Sequence, residues 1–198
     1  AGGDVALLGN HDAAVGGRAE SMDSQARAAI EWTRGQLGPA DRAFLAGLPP
    51  HLEEDGRLFV HADAVSPRSW TYVADAHDAR RSMRATASRI TFCGHVHKPM
   101  LYSMSEIWDS VTEMWKVVTF RPVAGSPVPL TSHRRWLAVL GSVGQPRDGN
   151  PAASYAMFDT TRAEITYLRV PYDVETAAAK VLAAGLPPWL AERLRKGV

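Results

Sequence analysis

Three times along this chain a short apolar run stops, and residues able to bind a metal or move a proton follow at once. Val5-Ala6-Leu7-Leu8 gives way to Gly9-Asn10-His11-Asp12. Leu58-Phe59-Val60 leads into His61, and Ile90-Thr91-Phe92-Cys93 leads into Gly94-His95-Val96-His97. Brief apolar runs bounded by turn residues read as buried strands. Parallel strands with helical crossovers bring their C-terminal tips to one edge of a sheet, where open α/β folds place their sites. Three imidazole-bearing tips on one edge are what a metal centre requires.

The rest of the pattern is compatible with that arrangement. Strands are expected at 4–8, 90–93, 100–104, 114–120, 127–131 and 135–140. Hairpins are expected at 51–61, turning on Asp55-Gly56, and between 154–158 and 165–170. Helices are expected at 24–37, with Ala28, Ala29, Trp32 and Leu37 as its apolar face, and at 74–88, 173–184 and 187–195. A short helix after Gly38-Pro39 should turn Phe44, Leu45 and Leu48 inward. Strands first alternate with helices and then run together, which predicts one layered domain of mixed α and β over 1–198. The 198 residues carry a net charge of +1 with 45% hydrophobic residues, values that argue against a nucleic-acid-coating protein and against disorder. Apolar runs are too short to span a membrane. The single cysteine, Cys93, excludes an internal disulfide framework and predicts a reducing, cytoplasmic setting.

Neutral imidazole is the commonest protein ligand for Zn, Fe, Mn and Ni. His95 and His97, two apart in extended chain, are expected to point the same way and to serve one ion or two adjacent ones. Asn10 offers a neutral oxygen, and His11, pointing elsewhere, is free for proton transfer. His and Asn together argue against Mg²⁺ or Ca²⁺ as sole ions, because those prefer all-oxygen shells. Each motif alone is also an ordinary turn sequence, and His61 alone suits a half-buried strand. Their conjunction carries the reading. His51, His77 and His133 read as surface or packing residues. Arg147, in the glycine-rich loop 141–151, suits either a substrate phosphate or a structural turn. Trp70 and Tyr72 read as core cover, with stacking on a nucleobase as the alternative.

In this combination Gly9-Asn10-His11-Asp12, Val60-His61-Ala62 and Gly94-His95-Val96-His97 resemble the last three motifs of the calcineurin-like metallophosphoesterases. The loop Gly141–Pro151 and the run Arg169-Val170-Pro171-Tyr172-Asp173 resemble the small prokaryotic phosphodiesterase branch, called diadenosine-tetraphosphatase-like. Val139 stands where that branch has Asn. The resemblance implies a four-layer αββα sandwich holding two divalent transition-metal ions, Mn²⁺ first and Fe²⁺, Ni²⁺ or Zn²⁺ as alternatives. It implies that Asn10, His61 and His95 ligate one ion and His97 the other. A metal-bridging hydroxide would attack the phosphoryl group, with His11 as general acid and Arg147 on the substrate. A small phosphoester or nucleotide is the implied substrate, phosphodiesters first; phosphomonoesters and dinucleoside polyphosphates are the alternatives. A non-catalytic interaction scaffold or an inactive fragment is the rival class, and the presence of His11 favours the enzyme.

The family's first two motifs, Asp-x-His and Gly-Asp-x-x-Asp-x-Gly, do not precede Asn10. Asp75-Ala76-His77 fits the first by letters but falls on an expected helix. The chain opens on Ala1 directly before an expected strand, so upstream residues are expected to be missing, and these 198 residues alone are expected to be weak in catalysis for want of carboxylate ligands.

Overall fold

The computed structural model describes residues 4–17, 22–109 and 114–198. Its first sheet contains β1 (His51–Glu54), β2 (Arg57–Val60), β3 (Ile90–Cys93), β4 (Met100–Asp109), β5 (Met114–Phe120) and β7 (Arg134–Val139). Their order across the sheet is β1-β2-β3-β7-β4-β5. At its centre β2, β3 and β7 run parallel, and the flanking pairs are antiparallel. The second sheet is antiparallel, in the order β6 (Pro127–Pro129), β9 (Glu164–Val170), β8 (Ala153–Asp159).

Period-two alternation divides the side chains of the central strands between two cores. Ile90 and Phe92 of β3, Trp136 and Ala138 of β7 and Leu101 of β4 face the second sheet, meeting Leu130, Ile165 and Tyr167. Cys93, Leu137, Val139, Tyr102 and Met104 face the other way. There they pack with Val73 and with Ala79 and Met83 of α4 (Ala76–Arg84). The layered α/β sandwich expected from the sequence therefore forms, built from α4, the first sheet and the second. Tyr155 and Met157, on the outer face of the second sheet, are exposed. Burial pushes the Cys93 thiol up to about 12, so it serves as packing and not as a reactive group.

The remaining helices are α1 (Asn10–Gly16), α2 (Ser24–Gln36), α3 (Pro39–Ala46), α5 (Val174–Ala183) and α6 (Pro188–Lys196). Ala14 and Val15 of α1 and Ile30 of α2 form a small third core, with Leu45 of α3 against it. Asp23 caps α2 by accepting from the N–H groups of Gln25 and Ala26. No helix of the described residues is long and apolar enough to cross a membrane.

Several sequence expectations are corrected. Residues 4–8 form no strand: Val5 is exposed, Leu8 is buried, and the Leu8 N–H goes to the Pro49 carbonyl at 2.8 Å. An apolar run alone cannot supply the ladder partner that a strand needs. Ile30, and not Trp32, is the buried anchor of α2, and Phe44 is exposed on α3. Strand β4 runs on to Asp109, pairing Trp108 with Trp115 after a register shift beyond Met104.

Leu137 is fully buried in the central strand β7. Leu137→Ala is expected to lower unfolding stability by about 2–5 kcal/mol. Met157→Ala, on the exposed face, is expected to stay within about 0.5 kcal/mol of the parent. Urea denaturation followed by circular dichroism checks both.

Candidate metal centre

Parallel pairing brings the C-terminal ends of β2, β3 and β7 to one edge of the first sheet. His61 follows β2 directly, and its carbonyl accepts from the Gly94 N–H at 3.0 Å. His95 and His97 follow β3, and the loop bearing Arg147 follows β7. Asn10 and His11 arrive differently, in the first turn of α1. Asp12 fixes that turn by accepting from the Gly9 N–H at 2.8 Å. Gly9 lets the turn lie against an imidazole: a Cβ there would stand 3.2 Å from both Cε1 and Nδ1 of His61.

The residues singled out in the sequence meet at this edge. Asn10 Oδ1 lies 3.0 Å from His61 Nε2, and His95 Nδ1 lies 3.1 Å from that same nitrogen. Adjacent ligands about 3 Å apart suit a first-row ion with bonds of about 2.0–2.1 Å to nitrogen. The donor chemistry, one amide oxygen and two imidazole nitrogens, fits a divalent transition metal. A hydrogen bond to the Trp70 backbone and the stacked ring of Tyr72, 4.3 Å between centroids, orient His95. His97 Nδ1 donates to the Gln145 carbonyl at 2.7 Å, which leaves Nε2 as its available donor atom.

The backbone route to this geometry differs from the expected one. His95 and His97 are not in extended chain. Their φ angles are 61° and 63°, in the left-handed region, and the Val96 N–H turns back to the Gly94 carbonyl at 2.6 Å. Trp70 shares that region at φ 54°. Non-glycine residues there cost about 1–3 kcal/mol each and persist only where their surroundings hold them.

Electrostatics keep the imidazoles neutral. Burial lowers the pKa of His61 and of His97 to about 4, and lowers that of His95. His11 lies on the cleft wall, and desolvation by its surroundings lowers its pKa against the opposing charge of Asp12. Neutral imidazole is the metal-binding form. Among the described residues no carboxylate joins His61 and His95 in a ligand group.

Asn10, His11, His95 and His97 line a cleft of about 1070 Å³, with His61 behind them. Arg147 lines it, tied by its own N–H to the His97 carbonyl at 3.0 Å and by Nη2 to Gln145 Oε1 at 2.9 Å. Trp70 and Tyr72 line it too and are not core cover, and Tyr72 is exposed. The sequence reading missed Trp189 and Arg193 of α6, which complete the wall. Their only signal is an amphipathic closing helix, which by itself says nothing of the surface it meets. His51, His77 and His133 are exposed, as expected.

A different group, Asp75, His77 and Asp78, also places its ligand atoms within 4.8 Å of one another. It lies at the start of α4, outside the cleft. Asp75 there accepts from the Asp78 N–H, while Asp78 accepts from the Ala74 N–H and faces Arg81. The two carboxylates thus cap a helix, and His77, exposed, lies 3.8 Å from Asp78 Oδ1.

No family model matches the chain. It is 33% identical over 201 residues to an uncharacterized protein of Methanocaldococcus jannaschii, covering 98% of this chain and 75% of that protein. A metallophosphoesterase from Sphaerobacter thermophilus matches its structure with a TM-score of 0.82 at 32% identity, covering 98% of this chain and 77% of the other. A hypothetical protein from Pyrococcus horikoshii matches at TM-score 0.71 and 16% identity, covering 98% and 73%, a likeness of fold alone.

Asn10→Ala, His61→Ala and His95→Ala are each expected to weaken Mn²⁺ binding at least about tenfold by isothermal titration, since each removes a converging donor. Gly9→Ala should weaken it as well by displacing His61. His77→Ala should leave it unchanged.

Proposed function

The chain belongs to the metallophosphoesterase family, and from that premise we propose that it hydrolyses phosphodiester bonds in the cleft lined by Asn10, His95 and His97, with His61 beside them. It is a metal-dependent phosphoesterase in general terms; the bond class, the ion and the residue roles are the proposal. The convergence of Asn10, His61 and His95 within 3.0–3.1 Å, on a cleft that His11 also lines, is the observation that carries it.

In this reading Asn10, His61 and His95 hold one ion, and Nε2 of His97 reaches toward a second. Mn²⁺ leads, with Fe²⁺, Ni²⁺ and Zn²⁺ as alternatives of the same donor preference. Bound metal would supply Lewis-acid polarisation of the phosphoryl group and a nucleophile from water at neutral pH.

The chain's own residues do the rest. Gln145 and Trp70 fix the rings of His97 and His95, so little reorganisation is needed when ligands bind. The guanidinium of Arg147 pairs with a non-bridging phosphate oxygen. His11 gives a proton to the departing oxygen. Its depressed pKa keeps it neutral in the free cleft, and an arriving phosphate anion raises that pKa, so the proton is taken up with the substrate. Residues of α1, α2 and α6 wall the cleft around the reacting group.

Hydrolysis of bis(4-nitrophenyl) phosphate with added Mn²⁺ tests the proposal. Activity should vanish with a chelator and exceed that on 4-nitrophenyl phosphate. His11→Ala should lower kcat by about 10²–10⁴ while Mn²⁺ content is unchanged. Hydrolysis that survives the chelator, or that His11→Ala leaves undiminished, would overturn it.

A further inference from the structure

The cleft holds one more charge than hydrolysis of a lone phosphodiester uses. Arg193, in the last turn of α6, lines the same cleft as His11 and Arg147. Among the described residues neither arginine forms an ion pair with an Asp or Glu side chain. The Nε of Arg147 is sealed from solvent and its Nη2 donates to Gln145 Oε1, so the side chain is held with the rest of its guanidinium toward the cleft.

Arg193 is also held in place. Its Nε donates to a main-chain oxygen of Val198, the last residue, at 2.7 Å, and its guanidinium lies 5.4 Å from the ring centroid of Trp189. The end of α6 is clamped to the loop that carries Arg147: the Gly149 N–H donates to the Gly197 carbonyl at 2.9 Å. A Cβ on Gly197 would stand 2.8 Å from the Asn150 backbone, so only glycine permits this approach. Loop and helix thus present their guanidinium groups as one rigid unit. Burial and the charge of Arg147 both disfavour the cationic form of Arg193, and the Arg147 charge also acts on His11, His95 and His97. Arg147 is therefore the electrostatic link between the imidazoles and Arg193. Asp23, a carboxylate on the same wall, accepts from two N–H groups of α2 through Oδ1. It leaves this part of the cleft, counted over Arg147, Arg193 and Asp23, net positive.

We propose that Arg193, together with Arg147, binds a second anionic group of the substrate, so that the preferred substrate is a phosphoester carrying a further phosphate. With Arg147 on the reacting phosphoryl group, Arg193 is the cation on the same cleft left for a further phosphate. The inference rests on the phosphoesterase reading of the cleft and adds to it the class of substrate.

Binding to metal-free protein tests it without reference to turnover. Pyrophosphate against orthophosphate, and thymidine 3′,5′-bisphosphate against thymidine 5′-monophosphate, are compared by isothermal titration. At least one doubly phosphorylated ligand should bind about tenfold tighter than its counterpart, the scale of one added charge-assisted hydrogen bond. Arg193→Ala should erase that difference, and Arg193→Lys should keep part of it. Arg121→Ala, outside the cleft, should leave it intact. Equal binding in the parent, or a difference that survives Arg193→Ala, would overturn the proposal. With Mn²⁺ present, the 4-nitrophenyl ester of thymidine 5′-phosphate is compared with its 3′-phosphorylated form. The 3′-phosphate should lower KM about tenfold, and Arg193→Ala should cancel that gain. Failure to cleave either ester refutes the hydrolase reading, while the titrations still decide the anion site.

Discussion

Backbone hydrogen bonding between parallel neighbours organises this molecule. Strands β2, β3 and β7 pair in register, Arg57 opposite Ile90 and Ile90 opposite Trp136, so their chains leave the sheet on the same side. His61, the His95–His97 turn and the Arg147 loop are the continuations of those three strands. The hydrophobic cores on both faces of the sheet hold the strands at that register, because a slip of one residue would exchange the two sets of side chains. Packing at Leu137 or Ile90 is thereby coupled to the distance between imidazoles that lie well away from either.

The site departs from regular backbone where it does chemistry. Three non-glycine residues, Trp70, His95 and His97, sit in the left-handed region, and each touches the cluster through a ring, a carbonyl or a donor atom. Such conformations are costly in isolation and are held by hydrogen bonds around them. Gly9 makes the complementary contribution: having no side chain, it lets the start of α1 press against His61 and bring the Asn10 oxygen to it. Strain and a missing side chain together set a spacing that regular elements alone do not provide.

Charge is distributed to match. The donors of the cluster are neutral, made so by burial, and the adjoining wall is cationic through Arg147 and Arg193. Neutral nitrogen and oxygen donors suit a transition-metal ion, and guanidinium groups suit phosphate. The two preferences lie in one cleft, and the hydrogen bond from Arg147 N–H to the His97 carbonyl joins them.

Much of this was legible in the order of residues. The run Ile90–Cys93 is a strand at its expected limits, the Asp55-Gly56 hairpin forms, and Asp23 caps α2, because each depends on interactions within a few residues. Asn10, His61 and His95 could be picked out because ligand-type side chains after short apolar runs are a local pattern. What lay beyond the sequence depends on contacts between distant segments. Whether 4–8 becomes a strand rests on a ladder partner, which no strand of the described residues supplies, and Tyr72 stacks on His95 instead of entering the core. Arg193 faces the cleft only because Gly197 lets α6 close on a loop almost fifty residues earlier. Hydrogen bonding and hydrophobic periodicity act at short range and can be read from the chain itself, whereas the joining of its far ends is fixed by packing in three dimensions.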